Sequence, residues 1–187
     1  MSELFELIES VCDLLEQANA TYAITGSVAS AVYSEPYASW DVDLCLQVSP
    51  VVLDRFLNLL PPRYYRDDVA VRAAAAEHSM INLVDNKTGL KIDLSFLPPG
   101  GYLGGVLARR KKITYGENKA FWTVSPEDAI LMKLLWRMET ESQKQWDNAL
   151  AVVRFQNVRL DWPYLHQWAD QLGLRKDLEL LKRDAGI

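Results

Sequence analysis

Two cysteines and two histidines are all that 187 residues supply of the softer metal ligands. Neither pair sits at the spacing of a zinc site, so zinc chemistry is not indicated. Cys12 and Cys45 are too few for a disulfide framework, and both lie in apolar patterns. They read as reduced core thiols of a cytoplasmic protein. His78 and His166 are isolated and are expected to be structural or exposed. Long apolar runs are lacking as well: none approaches the roughly 20 residues needed to cross a bilayer, and the start MSELFELIES is acidic where a secretory leader would be basic. Excess positive charge is also missing. A net charge of -5 argues against broad electrostatic attraction to nucleic acid, which needs clustered Lys and Arg to neutralise phosphates, and leaves room only for a local basic patch.

What is present is an ordinary globular composition, 49% hydrophobic and 24% charged, with no internal repeat and no low-complexity tract. The length suits one core, or one core with a small appended lobe. Apolar residues at helical spacing predict an amphipathic helix over residues 3–19. A short strand at 22–25 is broken by Gly26-Ser27, where Ser27 is expected to cap a short helix that ends before Pro36. Strict alternation over 41–48 predicts a strand with Val42, Leu44 and Leu46 on one face and Asp41, Asp43 and Cys45 on the other. A helix is expected over 51–60, stopped by Pro61-Pro62.

Residues 64–77 suggest a short strand and an Ala-rich helical turn. Residues 80–84 and 90–96 flank a turn-rich loop, as in an antiparallel hairpin, and the second strand carries Asp93 on its polar face. Pro98-Pro99-Gly100-Gly101 and Gly104-Gly105 then interrupt the pattern, and regular structure is expected to resume at Ser125-Pro126-Glu127-Asp128, a strong helix start. A strand-rich lobe over 1–110 and a helical lobe over 124–187 follow.

Taken alone, Asp-x-Asp in a strand is a weak signal. Its combination with a strand-ending Gly-Ser and a third acid, Asp93, is stronger. If the two acid-bearing strands are neighbours, the carboxylates converge on one face. Two carboxylates about 4 Å apart repel by roughly 4 kcal/mol at an effective dielectric near 20, so such clustering favours a divalent cation. Oxygen ligands without histidine suit Mg²⁺ or Mn²⁺, which keep several waters and bind substrate phosphates. Glycine lets backbone N–H groups approach a phosphate, and a helix start offers more of them.

Gly26-Ser27, Asp41-Val42-Asp43 and Asp93 resemble the signature of the nucleotidyltransferase superfamily related to DNA polymerase beta, particularly its minimal and AbiEii-like toxin members. The resemblance covers the motif-bearing part of residues 22–97 and, more loosely, 125–150, where Pro126-Glu127-Asp128 and Lys133 are similar to the helix that follows the catalytic domain. It implies an α/β (α+β) mixed sheet with flanking helices and a C-terminal helical lobe. Gly26 and Ser27 would hold a nucleoside triphosphate such as ATP, Asp41 and Asp43 would bind the metal, and Asp93 would complete the site and help to activate the acceptor hydroxyl.

Lys133 shares a helical side with Arg137, away from Ile130, Leu131, Leu134, Leu135 and Met138; either cation could reach phosphates, or both are solvated. Departures from the family pattern are Tyr37 after Pro36, where a basic residue is common, Trp40 directly before Asp41, and the partial motif Lys144-Gln145-Trp146-Asp147.

The implied activity transfers a nucleoside monophosphate from an NTP to a hydroxyl of RNA, protein or a small molecule, with a toxin role and an antitoxin protein partner as one specific form. The alternative is a catalytically inactive module that binds a nucleotide or partner on the same fold. Trp136, Trp146, Trp162 and Trp168 are expected to fill the helical core. The run Arg109-Arg110-Lys111-Lys112 reads as a solvated turn or as an acceptor-docking patch, with Tyr115 and Trp122 beside it.

Overall fold

A computed structural model describes residues 3–35, 39–115 and 119–187. Pro36 and Tyr37 lie outside the described residues. The chain divides into two compact units, the first drawn from Met1–Thr25 and Ser39–Thr123, the second from Gly26–Ala38 and Val124–Ile187.

The first unit is built on a mixed sheet. Its strands are β1 (Thr21–Ile24), β2 (Asp41–Gln47), β3 (Tyr64–Tyr65), β4 (Met80–Asp85), β5 (Lys91–Phe96), β6 (Lys111–Tyr115) and β7 (Lys119–Thr123). Among the described residues they run in the order β3-β4-β5-β2-β1-β7-β6. β2 pairs with β5, and β1 with β7, in parallel; the remaining pairs are antiparallel. Alternation decides the faces of the central pair. Val42, Leu44 and Leu46 of β2 and Ile92, Leu94 and Phe96 of β5 are all buried, each contributing about 2 kcal/mol of gross hydrophobic stabilisation.

Helix α1 (Glu3–Gln17) belongs to this unit and buries Leu7, Ile8, Val11, Cys12 and Leu15, the stripe that three- and four-residue spacing demands. Its Cys12 thiol is pushed up to about 12 by burial, as suits an inert core cysteine. Both cysteines are buried and neither is in a disulfide. Sequence numbering continues through α2 (Gly26–Val32) to α3 (Pro50–Leu59). Ser49 caps α3 by accepting from the Val52 N–H, and Pro50 occupies its first turn. Asp67 caps α4 (Asp68–Ala76) through the N–H groups of Val69 and Ala70.

The expected gap before Ser125 is wrong in one respect: α5 (Gly101–Val106), a 3-10 turn at Leu107–Arg109, and the β6–β7 pair fill it. Gly and Pro at 98–105 mark a helix start here, not a loop. The basic run is likewise no simple surface turn, since Lys111 and Lys112 open β6.

The second unit is helical: α2, α6 (Pro126–Thr140), α7 (Gln143–Gln156), α8 (Trp162–Leu172) and α9 (Arg175–Ala185). α2 begins at Gly26, so Ser27 lies in its first turn and not at the expected cap. Gly26 has φ 63°, a left-handed conformation that costs a residue with a Cβ about 1–2 kcal/mol. Small residues let α2 pack against α6 and α7. There the Ser30 and Ser34 hydroxyls donate back to the carbonyls of Gly26 (3.0 Å) and Ser30 (2.8 Å).

Ser125 caps α6 as expected, its Oγ accepting from the Asp128 N–H at 3.1 Å and donating to Asp128 Oδ2 at 2.7 Å. The expected apolar stripe of α6 is not what the structure shows. Ala129 to Leu134 are buried in succession, Lys133 included at 3% exposure, while Met138 is 57% exposed. A helix packed on several sides has no single solvent face, so a one-stripe reading misplaces its residues. Among the described residues no helix is long and apolar enough to cross a membrane.

Candidate active site

The β2–β5 register sets Asp43 directly beside Asp93, and Asp41 beside Lys91. With Val42, Leu44, Ile92 and Leu94 facing the dry core, the pleat turns the three acids to the opposite face. Each acid is half-buried. Asp41 is held from behind: the Ser39 hydroxyl lies 2.9 Å from its Oδ1 and 3.2 Å from its carbonyl oxygen. The Asp43 carbonyl accepts the Thr25 N–H at 2.9 Å, which ties the end of β1 to the acidic strand.

Asp93 is the strained member. Its Oδ1 is buried with no hydrogen-bond partner. Burial, then repulsion from Asp41, raises its carboxyl above the ordinary carboxylate range, with Lys91 opposing. An orphaned buried carboxylate oxygen costs about 1–3 kcal/mol or more unless something supplies a partner.

Among the described residues no three or more His, Cys, Asp or Glu side chains gather into a group that could hold a metal ion by itself. The register brings Asp43 and Asp93 side by side and puts Asp41 on the same face, without forming a protein cage. Mg²⁺ does not require one, since it is commonly held by one or two carboxylates with waters and substrate phosphates. The donor set fits such an ion: oxygen-only ligands, two from one strand, and an unsatisfied oxygen on the neighbouring strand. Three cavities of about 450, 360 and 320 Å³ lie elsewhere in the sheet unit and are not lined by these acids.

The other residues singled out from the sequence fall in the helical unit. Gly26 and Ser27 open α2, and Ser27 is buried at 5% exposure. Lys133 is buried on α6, its ammonium 5.1 Å from the Trp136 ring centroid, so it is not a solvated cation. Arg137 is not one either: it donates to Asp177 Oδ1 at 2.9 Å and stacks 4.7 Å from the Trp146 ring. Asp147 is exposed and accepts from Gln143 Nε2 at 2.8 Å. His166 pairs with Glu179 at 3.4 Å, and His78 is exposed, as expected.

Two residues escaped sequence reasoning, Ser39 and Asn82, while Trp40 was noted only as a departure from the family pattern. Ser39 buttresses Asp41. Asn82 lies opposite Asp93 in the β4–β5 ladder, extending the polar row across a third strand; its even position in an alternating strand was the available signal. Trp40 stands beside Asp41 with 80% of its surface exposed, an unusual placement for so large an apolar ring.

No family model matches the chain, and no curated protein matches it in sequence. Solved structures do. An antigenic nucleotidyltransferase-like protein from Paracoccidioides brasiliensis aligns with a TM-score of 0.54 at 16% identity, over 97% of this chain and 92% of that one. A candidate nucleotidyltransferase from H. pylori aligns more loosely, with a TM-score of 0.49 at 16% identity, over 98% of this chain and 82% of the other. The mixed sheet with flanking helices is a fold that this chain shares with that nucleotidyltransferase-like protein.

Proposed function

We propose that the acidic face carries out metal-dependent nucleotidyl transfer, from an NTP such as ATP to an acceptor hydroxyl. One observation carries this reading: Asp43 and Asp93 are cross-strand neighbours on the polar face, and Asp93 keeps a buried oxygen without a partner. Acids that serve only the fold are normally satisfied.

In this reading Asp41 and Asp43 hold Mg²⁺ or Mn²⁺, which when bound supplies charge stabilisation at the transferring and leaving phosphates. Asp93 accepts the proton of the acceptor hydroxyl. The hydroxyl oxygen forms a new ester bond to the α-phosphorus, the α–β phosphoanhydride bond breaks, and pyrophosphate leaves. The raised Asp93 carboxyl is a better proton acceptor than an ordinary carboxylate. Gly26 and Ser27 are the proposed triphosphate contacts through backbone N–H groups, and Lys133 is a third. The AbiEii-like resemblance adds a toxin role with an antitoxin partner. Growth arrest on expression, relieved by Asp41→Ala/Asp43→Ala, tests that role.

Incubation with labelled NTPs, Mg²⁺ and total RNA or cell lysate tests the transfer. Label incorporation that disappears in the Asp41→Ala/Asp43→Ala variant is the expected result. Absence of transfer with intact stabilisation by Mg-NTP would replace catalysis by a nucleotide-binding role on the same fold.

A further inference from the structure

The hollow between α3 and α4 follows from what α4 lacks. Arg72, Ala75 and Ala76 share one face of that helix at three- and four-residue spacing, and the two alanines leave open a space that larger apolar side chains would close. They line a cavity of about 450 Å³ together with Pro50, Leu53 and Asp54 of α3. A second cavity of about 320 Å³ shares Val48, Ala75 and His78 with it and reaches Phe96, Leu97 and Pro99. Both volumes fall in the range of small-molecule sites, about 300–1,000 Å³.

The walls are fixed without a ligand. Gln47 Nε2 donates to the Pro98 carbonyl at 3.0 Å and to the Gly104 carbonyl at 3.2 Å, which fastens α5 to the end of β2. Arg66 Nη2 donates to the Leu57 carbonyl at 3.0 Å, and Arg72 Nε to Asp54 Oδ1 at 2.8 Å, so α3 is tied to the α4 segment twice. Gln47 stands four residues beyond Asp43, about 13 Å along an extended strand. The cavities are therefore separate from the acidic face.

The polar groups at the cavities decide the occupant. Apart from Gln47, His78 and the Asp54–Arg72 pair, the lining is apolar. That pair is joined through one nitrogen and one oxygen, and Arg72 Nη1 is committed to the Asp68 carbonyl at 3.1 Å. Among the described residues Arg72 Nη2 and Asp54 Oδ2 have no partner, which leaves a charged donor and a charged acceptor close together on half-exposed side chains. An anion would meet Asp54, a cation would meet Arg72, and a purely apolar molecule would leave both unanswered. A zwitterion answers each with its opposite charge. We propose that the α3–α4 cavity binds a free α-amino acid with a large apolar side chain, its side chain against Leu53, Ala75 and Ala76, its carboxylate at Arg72 and its ammonium at Asp54. This site stands independently of the proposed transfer reaction.

Isothermal titration calorimetry with phenylalanine, leucine, glycine, N-acetylphenylalanine and phenylalaninamide tests it. Phenylalanine and leucine are expected to bind, and glycine at least about tenfold more weakly, because it forfeits the apolar burial. Each blocked derivative keeps the ring and loses one head charge, and should bind about tenfold more weakly than phenylalanine. Arg72→Met should remove the preference for phenylalanine over phenylalaninamide. Ala76→Phe, a change at an exposed position, fills the cavity and should abolish binding with circular dichroism unchanged. Absence of binding by wild-type protein, blocked derivatives that bind as tightly as phenylalanine, or an Ala76→Phe variant that still binds would overturn the site.

Discussion

Asp128 of the helical unit and Asp93 of the sheet unit are treated in opposite ways. In the helical unit Asp128 is fully buried, and it accepts from Ser125 Oγ and Tyr164 Oη, each at 2.7 Å. Glu127 is 4% exposed and accepts the Asp161 N–H at 3.0 Å, while Asp177 is paired with Arg137. In the sheet unit Asp93 is left with an orphaned oxygen and a neighbouring like charge. Acids that fix helices are saturated with donors; the acid proposed for chemistry is kept short of them. The cost at Asp93 is tolerated because the reverse face of the same strands is a dry row of Val, Leu, Ile and Phe.

Substitutions should expose this difference. Removing Asp41 and Asp43 is expected to reduce nucleotidyl transfer by more than about a hundredfold, since even outer-shell changes at metal sites cost ten- to a hundredfold; the fold should survive, as circular dichroism would show. Asp128→Ala should do the reverse, costing about 3 kcal/mol in urea unfolding because it leaves Tyr164 and Ser125 without their partner. A tightly bound Mg-NTP at a hundred times its dissociation constant should stabilise wild-type protein by about 2.7 kcal/mol, and the Asp41→Ala/Asp43→Ala variant by nothing measurable.

A smaller effect of defined sign is expected at Asp93. Its raised carboxyl means that folding disfavours the charged form. The native state is unpenalised while the group is protonated, at pH below the ordinary Asp range, and loses stability as pH rises through the folded-state value. Asp93→Asn should therefore stabilise the protein near neutral pH and make little difference in strong acid, as unfolding curves across pH would show. Trp40→Ala should change stability by no more than about 0.5 kcal/mol, because the ring is 80% exposed; a larger loss would mean that Trp40 belongs to the fold.

Much of the sheet was legible because its central strands alternate strictly. Asp41 to Gln47 and Lys91 to Phe96 each bury one face, and that periodicity put Asp41, Asp43 and Asp93 on polar faces; the pairing of Asp43 with Asp93 is set by the β2–β5 register. β6 and β7 were not legible. They follow a stretch of Pro and Gly, and on an outer strand the exposed Lys111 and Lys112 leave little of the apolar pattern that identifies a strand. Lys133 was misplaced for the opposite reason: α6 is apolar on so many sides that its one buried cation looked like surface. Partners distant along the chain, such as Asn82 for Asp93, follow from register, which residue types alone do not specify.

The acidic face as a divalent-metal site is most directly tested by titrating the protein with Mn²⁺, with and without an NTP, and following the free ion by electron paramagnetic resonance. Wild-type protein should take up the ion and the Asp41→Asn/Asp43→Asn variant should not. Equal uptake by both, or none by wild type even with the nucleotide present, would contradict the account.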